Sequence, residues 1–268
     1  MTENLPTVVI SKSAIAAVVF DMDGVVTQTA TVHAAAWKAL FDEYLAEVAR
    51  RERGRSARSD ERRTEGIDVT YAPFTQADYL RFVDGKPRYD GVRDFLASRG
   101  LSLPWGDPSD PPEAETVCGL GNRKDRYFHR LIDEHGVQAY PSTIALIDEL
   151  KRAGVRIAIV SASRNTTKIL EAAGVRGLFE AQVDGEVAVH LGLPGKPDPA
   201  MFVEAARRVG AVPARAAVIE DAVAGVEAGR RGGFALVIGV DRGGNREALA
   251  AAGADAVVSD LAEVRVGD

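Results

Sequence analysis

The sequence predicts an α/β fold, in which a doubly wound parallel (Rossmann-like) sheet core carries an inserted, mostly helical cap domain. In the second half of the chain, short apolar runs alternate with helical patterns of about ten residues, which is typical of strand–helix–strand units with right-handed crossovers. A further apolar run typical of a buried strand stands alone at 15–20. The region 34–136 lacks this alternation, and its apolar spacing is helical. We therefore expect a core formed by 1–33 and 137–268 and a cap domain at 34–136.

The individual elements follow from apolar spacing and from capping residues. Residues 1–12 are mostly polar and contain proline, so we expect a loose leader. Apolar residues three and four positions apart from Trp37 to Val48 predict one face of a helix. Thr75 can cap a further helix, and four prolines between 103 and 112 predict a loop. The second part of the core is expected to hold strands at 155–160, 216–219, 235–239 and 256–258, and helices beginning at 141, 166, 199, 223 and 246.

Composition and charge argue against several classes of protein. The formal net charge is −6, whereas a general nucleic-acid binder is usually basic. No apolar run approaches the roughly 20 residues that a bilayer-spanning helix needs, and the N-terminus lacks the pattern of a secretory signal. The single cysteine, Cys118, allows no intrachain disulfide, and the spacing of His129, His135 and His190 does not suggest a metal site. We expect a cytoplasmic monomer with no nucleic-acid or membrane partner.

The most informative stretch is Asp21-Met22-Asp23-Gly24, directly after the first apolar run. Residues two apart on a strand project to the same side. Asp21 and Asp23 would therefore converge at the carboxyl end of a buried strand, where open α/β sheets bind their ligands. Two carboxylates there repel each other unless a cation or a shared proton relieves them. Taken alone, the stretch is equally compatible with a solvated Asp-x-Asp-Gly turn.

Two later stretches place polar groups near predicted helix starts. Ser161 follows a predicted strand, and its hydroxyl could bind an anion together with the N–H groups of the next helix, or could cap that helix. Lys196 precedes a helix for which Asp198 supplies a cap and Pro199 the first residue. The capping pattern does not explain Lys196, which could neutralise a phosphate.

A second acid pair, Glu220 and Asp221, ends another predicted strand. Acids are favoured in a first helical turn by the helix dipole, so a capping role is one interpretation. Together with Asp21 and Asp23, however, they would form an all-oxygen cage suited to magnesium.

In this order the four stretches resemble the motifs of the haloacid dehalogenase superfamily, which are Asp-x-Asp-x-Thr/Val, Ser/Thr, Lys and a terminal acid pair. The resemblance covers nearly the whole chain and implies a phosphotransferase. It implies that Asp21 is the nucleophile that forms an aspartyl phosphate, and that Asp23 is the general acid and base. Ser161 and Lys196 would hold phosphoryl oxygens. The implied ligands of Mg²⁺ are Asp21, the backbone carbonyl of Asp23, Glu220 and Asp221.

The residues around these motifs resemble the beta-phosphoglucomutase subfamily. The implied substrate-binding residues are Thr29, His33, Trp37, Gly85, Arg88, Lys124, Ala162 and Asn165. Gly85 and Arg88 match a cap loop that grips the distal phosphate, and Lys124 matches a lysine that contacts the sugar. Gln28 and Asp84 depart from the subfamily, because they stand where an acid and a cap lysine are typical. A purely structural role for His33 is an equally good interpretation.

The resemblance implies a mutase that interconverts beta-glucose 1-phosphate and glucose 6-phosphate, with glucose 1,6-bisphosphate as intermediate and primer. The nearest alternative is a phosphatase that acts on a small phosphorylated sugar with water as the acceptor. The residues that favour the mutase are Arg88, Lys124, Thr29 and His33, because a phosphatase needs no grip on a second phosphate. A third hypothesis is a non-catalytic protein that binds RNA or an acidic partner through the arginine-rich segment 50–63. The presence of both Asp21 and Asp23 argues against it.

Overall fold

The computed structural model of the chain describes residues 8–56 and 71–268. Their contacts divide the chain into two compact units, which we call the core unit and the cap unit. The core unit comprises the described residues of Met1–Ala30, Gly85–Pro87 and Gly136–Asp268, and the cap unit those of Thr31–Asp84 and Arg88–His135. The domain boundaries expected from the sequence, at 33/34 and 136/137, stay a prediction.

The strands of the core unit form a six-stranded sheet and a separate two-stranded pair. The strands are β1 (Val8–Ser11), β2 (Ala17–Asp21), β3 (Arg156–Val160), β4 (Ala181–Val183), β5 (Ala216–Glu220), β6 (Leu236–Val240), β7 (Ala256–Val258) and β8 (Val264–Gly267). The six-stranded sheet has the order β4-β3-β2-β5-β6-β7, and every neighbouring pair is parallel. The predicted α/β fold with a parallel sheet is confirmed.

The first and last strands correct two sequence-based expectations. β1 pairs in parallel with β8, with Val8 opposite Val264, and Ile10 is fully buried. The loose leader was therefore wrong for residues 8–11, and the strand at 256–258 is not the last one. Pairing between the two ends of the chain protects these short strands, because an isolated strand of four residues would not be stable. Residues 1–7 of the expected leader lie outside the described residues.

The described residues of the cap unit are mostly helical and have their own apolar core. The helices are α1 (Ala30–Ser56), α2 (Gln76–Asp78), which continues as a π-helical turn over Tyr79–Val83, α3 (Arg88–Ser98) and α4 (Val117–His135). Thr75 caps α2, as predicted, and accepts a hydrogen bond from the Asp78 N–H. The apolar stripe of α1 packs into this core, where the rings of Phe41, Phe74 and Phe95 lie within 5.1 Å of one another.

The helices of the core unit begin at the predicted residues, apart from a one-residue shift at Ala200 and a helix at Gly185–Leu191 that the sequence did not predict. They are α5 (Pro141–Arg152), α6 (Thr166–Ala172), α7 (Gly185–Leu191), α8 (Ala200–Arg208), α9 (Val223–Arg231) and α10 (Arg246–Ala251). All five residues of β2 are buried, whichever side of the sheet they face, so apolar layers cover both faces of the central strand. Within the described part of the chain, no helix is both long and apolar enough to cross a membrane.

Candidate active site

The polar residues that the sequence singled out meet at one edge of the core sheet. Since all six strands are parallel, their carboxyl ends share that edge. Asp21 is the last residue of β2 and Glu220 the last of β5, and β2 lies between β3 and β5. Ser161 directly follows β3. Lys196 reaches the same place from the loop before α8.

Lys196 joins the nucleophile motif to the second acid pair. Its ammonium donates hydrogen bonds to Asp21 Oδ1 and, at 2.7 Å, to Glu220 Oε2. All three side chains are 7 % exposed or less. Glu220 Oε1 also accepts the Ala222 N–H at 3.0 Å. Lys196 therefore satisfies two buried carboxylates at once, which is a condition for keeping such charges inside a protein.

The charges in this cluster shift each other's titration. Burial raises the pKa of Asp21, the negative charge of Glu220 raises it further, and Lys196 only partly opposes them, so that the pKa lies well above its ordinary value. Burial alone would lower the pKa of Lys196, but Asp21 and Glu220 outweigh it and the pKa is raised. Lys196 is therefore a fixed positive charge. An additional cation near Asp21 would lower the pKa of its carboxyl and favour the nucleophilic form.

Asp21, Glu220 and Asp221 form a donor set that suits a hard divalent cation. Each offers a carboxylate oxygen, and these atoms lie within 4.8 Å of one another. When all three carboxylates are ionised, the single ammonium of Lys196 leaves two negative charges for a cation to neutralise. Gly24 makes the close approach possible: its φ of 78° suits glycine, and a side chain there would overlap the Asp221 carboxylate. Oxygen-only ligands favour magnesium or calcium over softer metals.

Asp23 is held by two hydroxyl groups. Its Oδ1 accepts a hydrogen bond from Thr29, and its Oδ2 accepts one from Ser161 at 3.3 Å. Thr29 in turn contacts the Thr27 hydroxyl at 2.7 Å, and Thr27 donates to the Met22 carbonyl at 3.2 Å. Thr27 and Thr29 are almost fully buried. The sequence analysis places Thr29 among the substrate-binding residues, and it misses Thr27 and the contact between Ser161 and Asp23.

The turn after β3 is organised around the Ser161 hydroxyl. This hydroxyl accepts the Ser163 N–H at 3.1 Å, and the Ser163 hydroxyl accepts the Asn165 N–H at 3.1 Å. Asn165 precedes α6 as its N-cap residue, but no capping bond from its side chain is present. Ala162 lies within this turn. The stretch that begins at Ser161 is therefore a turn rich in hydroxyl groups, and its Ser161 hydroxyl is hydrogen-bonded to Asp23.

Gly85 lies in the core unit beside Lys196. A Cβ at Gly85 would stand 3.1 Å from the Ala222 Cβ and 3.9 Å from the Lys196 Cδ. Pro87, two residues after Gly85, lies against Gly195, where a Cβ would overlap the proline ring. The segment Gly85–Pro87 thus packs against the loops that carry Lys196 and the second acid pair.

Three of the predicted substrate-binding residues meet inside the cap unit. Lys124 Nζ lies 2.5 Å from His33 Nδ1, 5.2 Å from the centre of the Trp37 ring and 4.7 Å from that of Phe128. An ammonium can only donate, so His33 Nδ1 accepts. His33 also stacks on Phe128 at 4.0 Å. Lys124 is only 4 % exposed, and the aromatic rings stabilise its charge.

Arg88 belongs to a different polar group of the cap unit. Its guanidinium donates to Asp125 at 2.8 Å and to Asn122 at 3.4 Å, and Asn122 also accepts from Tyr89 at 3.0 Å. Of the arginine-rich segment 50–63, α1 includes the part up to Ser56, where Arg51 pairs with Glu47 at 2.6 Å. The rest of that segment lies outside the described residues.

The prediction for the stretch around Lys196 needs one correction. The helix after Lys196 begins at Ala200 and not at Pro199. The Asp198 carboxylate nevertheless accepts the Ala200 N–H at 2.9 Å. The capping function therefore belongs to Asp198, as expected, and Lys196 remains available for the carboxylates.

Comparison with known proteins gives consistent results. Residues 15–233 match the haloacid dehalogenase-like hydrolases. The chain is 44 % identical over 253 residues to the beta-phosphoglucomutase of Mycobacterium tuberculosis, covering 92 % of this chain and 90 % of that one. A segment covering 47 % of this chain and 29 % of the relative is 41 % identical to the trehalose-phosphate phosphatase of Mycobacterium leprae. Among solved structures, beta-phosphoglucomutase from Clostridium difficile superimposes with a TM-score of 0.67 at 23 % identity, covering 94 % and 93 % of the two chains, which bears on the fold alone.

Proposed function

Since the chain belongs to the haloacid dehalogenase-like hydrolase family, we propose that it is a magnesium-dependent mutase that converts beta-glucose 1-phosphate to glucose 6-phosphate through an aspartyl phosphate. The observation that carries the proposal is its 44 % identity, over nine-tenths of both chains, to a beta-phosphoglucomutase. The contacts of Asp21 and Asp23 are consistent with it. The chain is an enzyme of this superfamily, and the particular reaction is what we propose.

The first chemical step assigns separate tasks to the two aspartates. A carboxylate oxygen of Asp21 attacks phosphorus, the bond from phosphorus to the sugar oxygen breaks, and an aspartyl phosphate forms. Asp23 gives its proton to the departing oxygen. Ser161, the Ala162 N–H and Lys196 bind the phosphoryl oxygens, and Lys196 supplies a permanent positive charge. Mg²⁺, held by Asp21, Glu220, Asp221 and the Asp23 carbonyl, would screen the repulsion between the nucleophile and the phosphoryl group.

The second step reverses the first on a different hydroxyl. Asp23, now a carboxylate, takes the proton of the acceptor hydroxyl, and the phosphoryl group moves from Asp21 to that oxygen. The enzyme is primed when glucose 1,6-bisphosphate gives a phosphoryl group to Asp21. The aspartyl phosphate then phosphorylates the 6-hydroxyl of beta-glucose 1-phosphate, and the bisphosphate so formed returns its 1-phosphoryl group to Asp21 and leaves as glucose 6-phosphate. His33, Trp37, Lys124, Gly85, Arg88 and Asn165 are the residues that we propose for binding the sugar and the second phosphate. Asp84 stands where the subfamily typically has a cap lysine, and this difference affects which sugar we expect the enzyme to prefer.

A sugar-phosphate phosphatase is the second candidate, because part of the chain is 41 % identical to a trehalose-phosphate phosphatase. It would use the same Asp21 and Asp23, with water in place of the acceptor hydroxyl. The two candidates differ only in the fate of the phosphoryl group on Asp21.

A phosphorus NMR time course on beta-glucose 1-phosphate, with Mg²⁺ and a trace of the 1,6-bisphosphate, separates these candidates. We expect glucose 6-phosphate to accumulate with the wild type and not with Asp21→Asn. Inorganic phosphate without glucose 6-phosphate would identify a phosphatase. No conversion of the sugar phosphate would refute the proposed substrate.

A further inference from the structure

The loop after β6 carries an arginine that the proposed reaction does not use. Arg242 lies two residues past the carboxyl end of β6, at the edge of the sheet that bears the active site. Its Nε donates to the carbonyl of Gly24 at 2.9 Å. Gly24 directly follows Asp23, so the guanidinium bonds the residue next to the proposed general acid and base.

The same guanidinium is anchored at the end of β7. Its Nη1 donates to the Ser259 carbonyl and to the Asp260 carboxylate, each at 3.3 Å. The planar guanidinium of arginine holds its donors in a fixed fork that can reach several acceptors at once. Arg242 therefore ties the loop 22–29, which we call the nucleophile loop, to the two residues that directly follow β7.

Arg242 makes a third contact with Tyr140, the residue before α5. The guanidinium carbon of Arg242 lies 3.8 Å from the centre of the Tyr140 ring, and the Tyr140 N–H donates to the Val26 carbonyl at 2.9 Å. Arg242 thus contacts the nucleophile loop directly at Gly24 and, through Tyr140, at Val26. Asn245, on the same β6–α10 loop, donates to the Asp221 carbonyl at 3.4 Å.

We infer that Arg242 is a positioning residue that fixes the loop carrying Asp23, and so sets the alignment of the general acid with the leaving oxygen. The inference rests on the proposed role of Asp23. It does not depend on the sugar, because Asp23 must be aligned with the leaving oxygen of any phosphomonoester whose leaving group needs a proton. A displacement of about 1 Å at such a group can cost on the order of 100-fold in rate.

The test compares two leaving groups in the same chemical step. Single-turnover cleavage of phenyl phosphate and of p-nitrophenyl phosphate, with Mg²⁺ and excess enzyme, reports only the formation of the aspartyl phosphate. Nitrophenolate leaves without a proton, whereas phenolate benefits from one. For Arg242→Met we expect the rate constant on phenyl phosphate to fall at least about tenfold, and that on p-nitrophenyl phosphate to stay within about threefold of wild type.

Arg246→Met is the matched control. Arg246 lies close to Arg242 in sequence and also bonds the end of β7, at the Val257 carbonyl and the Ser259 hydroxyl. Among the described residues, its hydrogen bonds go to Val257 and Ser259 and not to the nucleophile loop. We expect its ratio of the two rate constants to equal that of wild type.

Arg242→Lys keeps the charge with fewer donors, and we expect an intermediate ratio. If circular dichroism shows that Arg242→Met does not fold, the two rate constants are compared in Arg242→Lys instead. Equal losses on both substrates, or the same change of ratio in Arg246→Met, would overturn the inference. Failure of the proposed function appears separately, as wild-type cleavage of both aryl phosphates without conversion of beta-glucose 1-phosphate.

Discussion

Asp23 depends on Thr29 for one of its two hydroxyl donors, and this bond is open to a direct test. Thr29→Val keeps the shape of the side chain and removes the hydroxyl. A hydrogen bond to a charged group contributes about 1.5–3 kcal/mol. We therefore expect kcat on beta-glucose 1-phosphate to fall roughly 10- to 100-fold, with little change in KM, in steady-state kinetics.

Thr29→Ser keeps the hydroxyl and is the control. We expect its kcat to stay near that of wild type. If serine lost as much activity as valine, the site would need the methyl group of Thr29 and not its hydrogen bond. An unchanged kcat in Thr29→Val would remove Thr29 from the mechanism.

The same residues show what a sequence pattern can predict about a site. Asp21, Ser161 and Glu220 were predictable because the carboxyl ends of parallel strands share an edge. The bond from Ser161 to Asp23 and that from Arg242 to Gly24 were not, since they join residues 138 and 218 positions apart. Such bonds depend on which strands are neighbours, and the order of strands in a sheet is not contained in local apolar spacing.

At the scale of elements, helix α9 can begin close to the active site only because Gly225 has no side chain. A Cβ at Gly225 would overlap the Glu220 carboxylate. Gly225→Ala should therefore displace Glu220 from Lys196 and from the Ala222 N–H. We expect the free energy of unfolding, measured with urea, to fall by about 1–3 kcal/mol, as is usual for overpacking.

Gly54→Ala is a control with the same change of residue within a helix. Gly54 lies in α1, and a Cβ there would meet nothing within 4 Å. Alanine in an exposed helix usually stabilises by about 0.5–1 kcal/mol relative to glycine, so the two substitutions should have opposite signs. A gain of stability in Gly225→Ala would mean that Glu220 has more room than the structure gives it.

The elements also differ in how well sequence alone predicted them. Strands such as β2 and β5 were recognisable because their continuous apolar runs end in acids. β1 and β8 were missed because each has four residues and is stabilised by pairing with the opposite end of the chain. β4 was missed because its three residues, Ala-Gln-Val, are interrupted by a polar side chain, whereas β7 is equally short but continuously apolar.

For the whole molecule, the two compact units have separate apolar cores, and the proposed magnesium ligands all belong to one of them. A ligand that binds only the folded form stabilises it by about 2.7 kcal/mol at 100 times its Kd. We expect Mg²⁺ at that excess to slow hydrogen exchange of the most protected amides in β2 and β5 about 100-fold. Amides of α3 and α4 in the cap unit should be unaffected.

Asp221→Asn separates this effect from a general effect of salt. It removes one charged ligand, and its core amides should gain far less protection at the same Mg²⁺ concentration. Equal slowing in both units of the wild type would contradict the prediction, because it would mean that the chain opens as a single cooperative unit. Slowing in neither unit would mean that Lys196 alone is enough to balance the buried carboxylates, and magnesium would have to be removed from the proposed reaction.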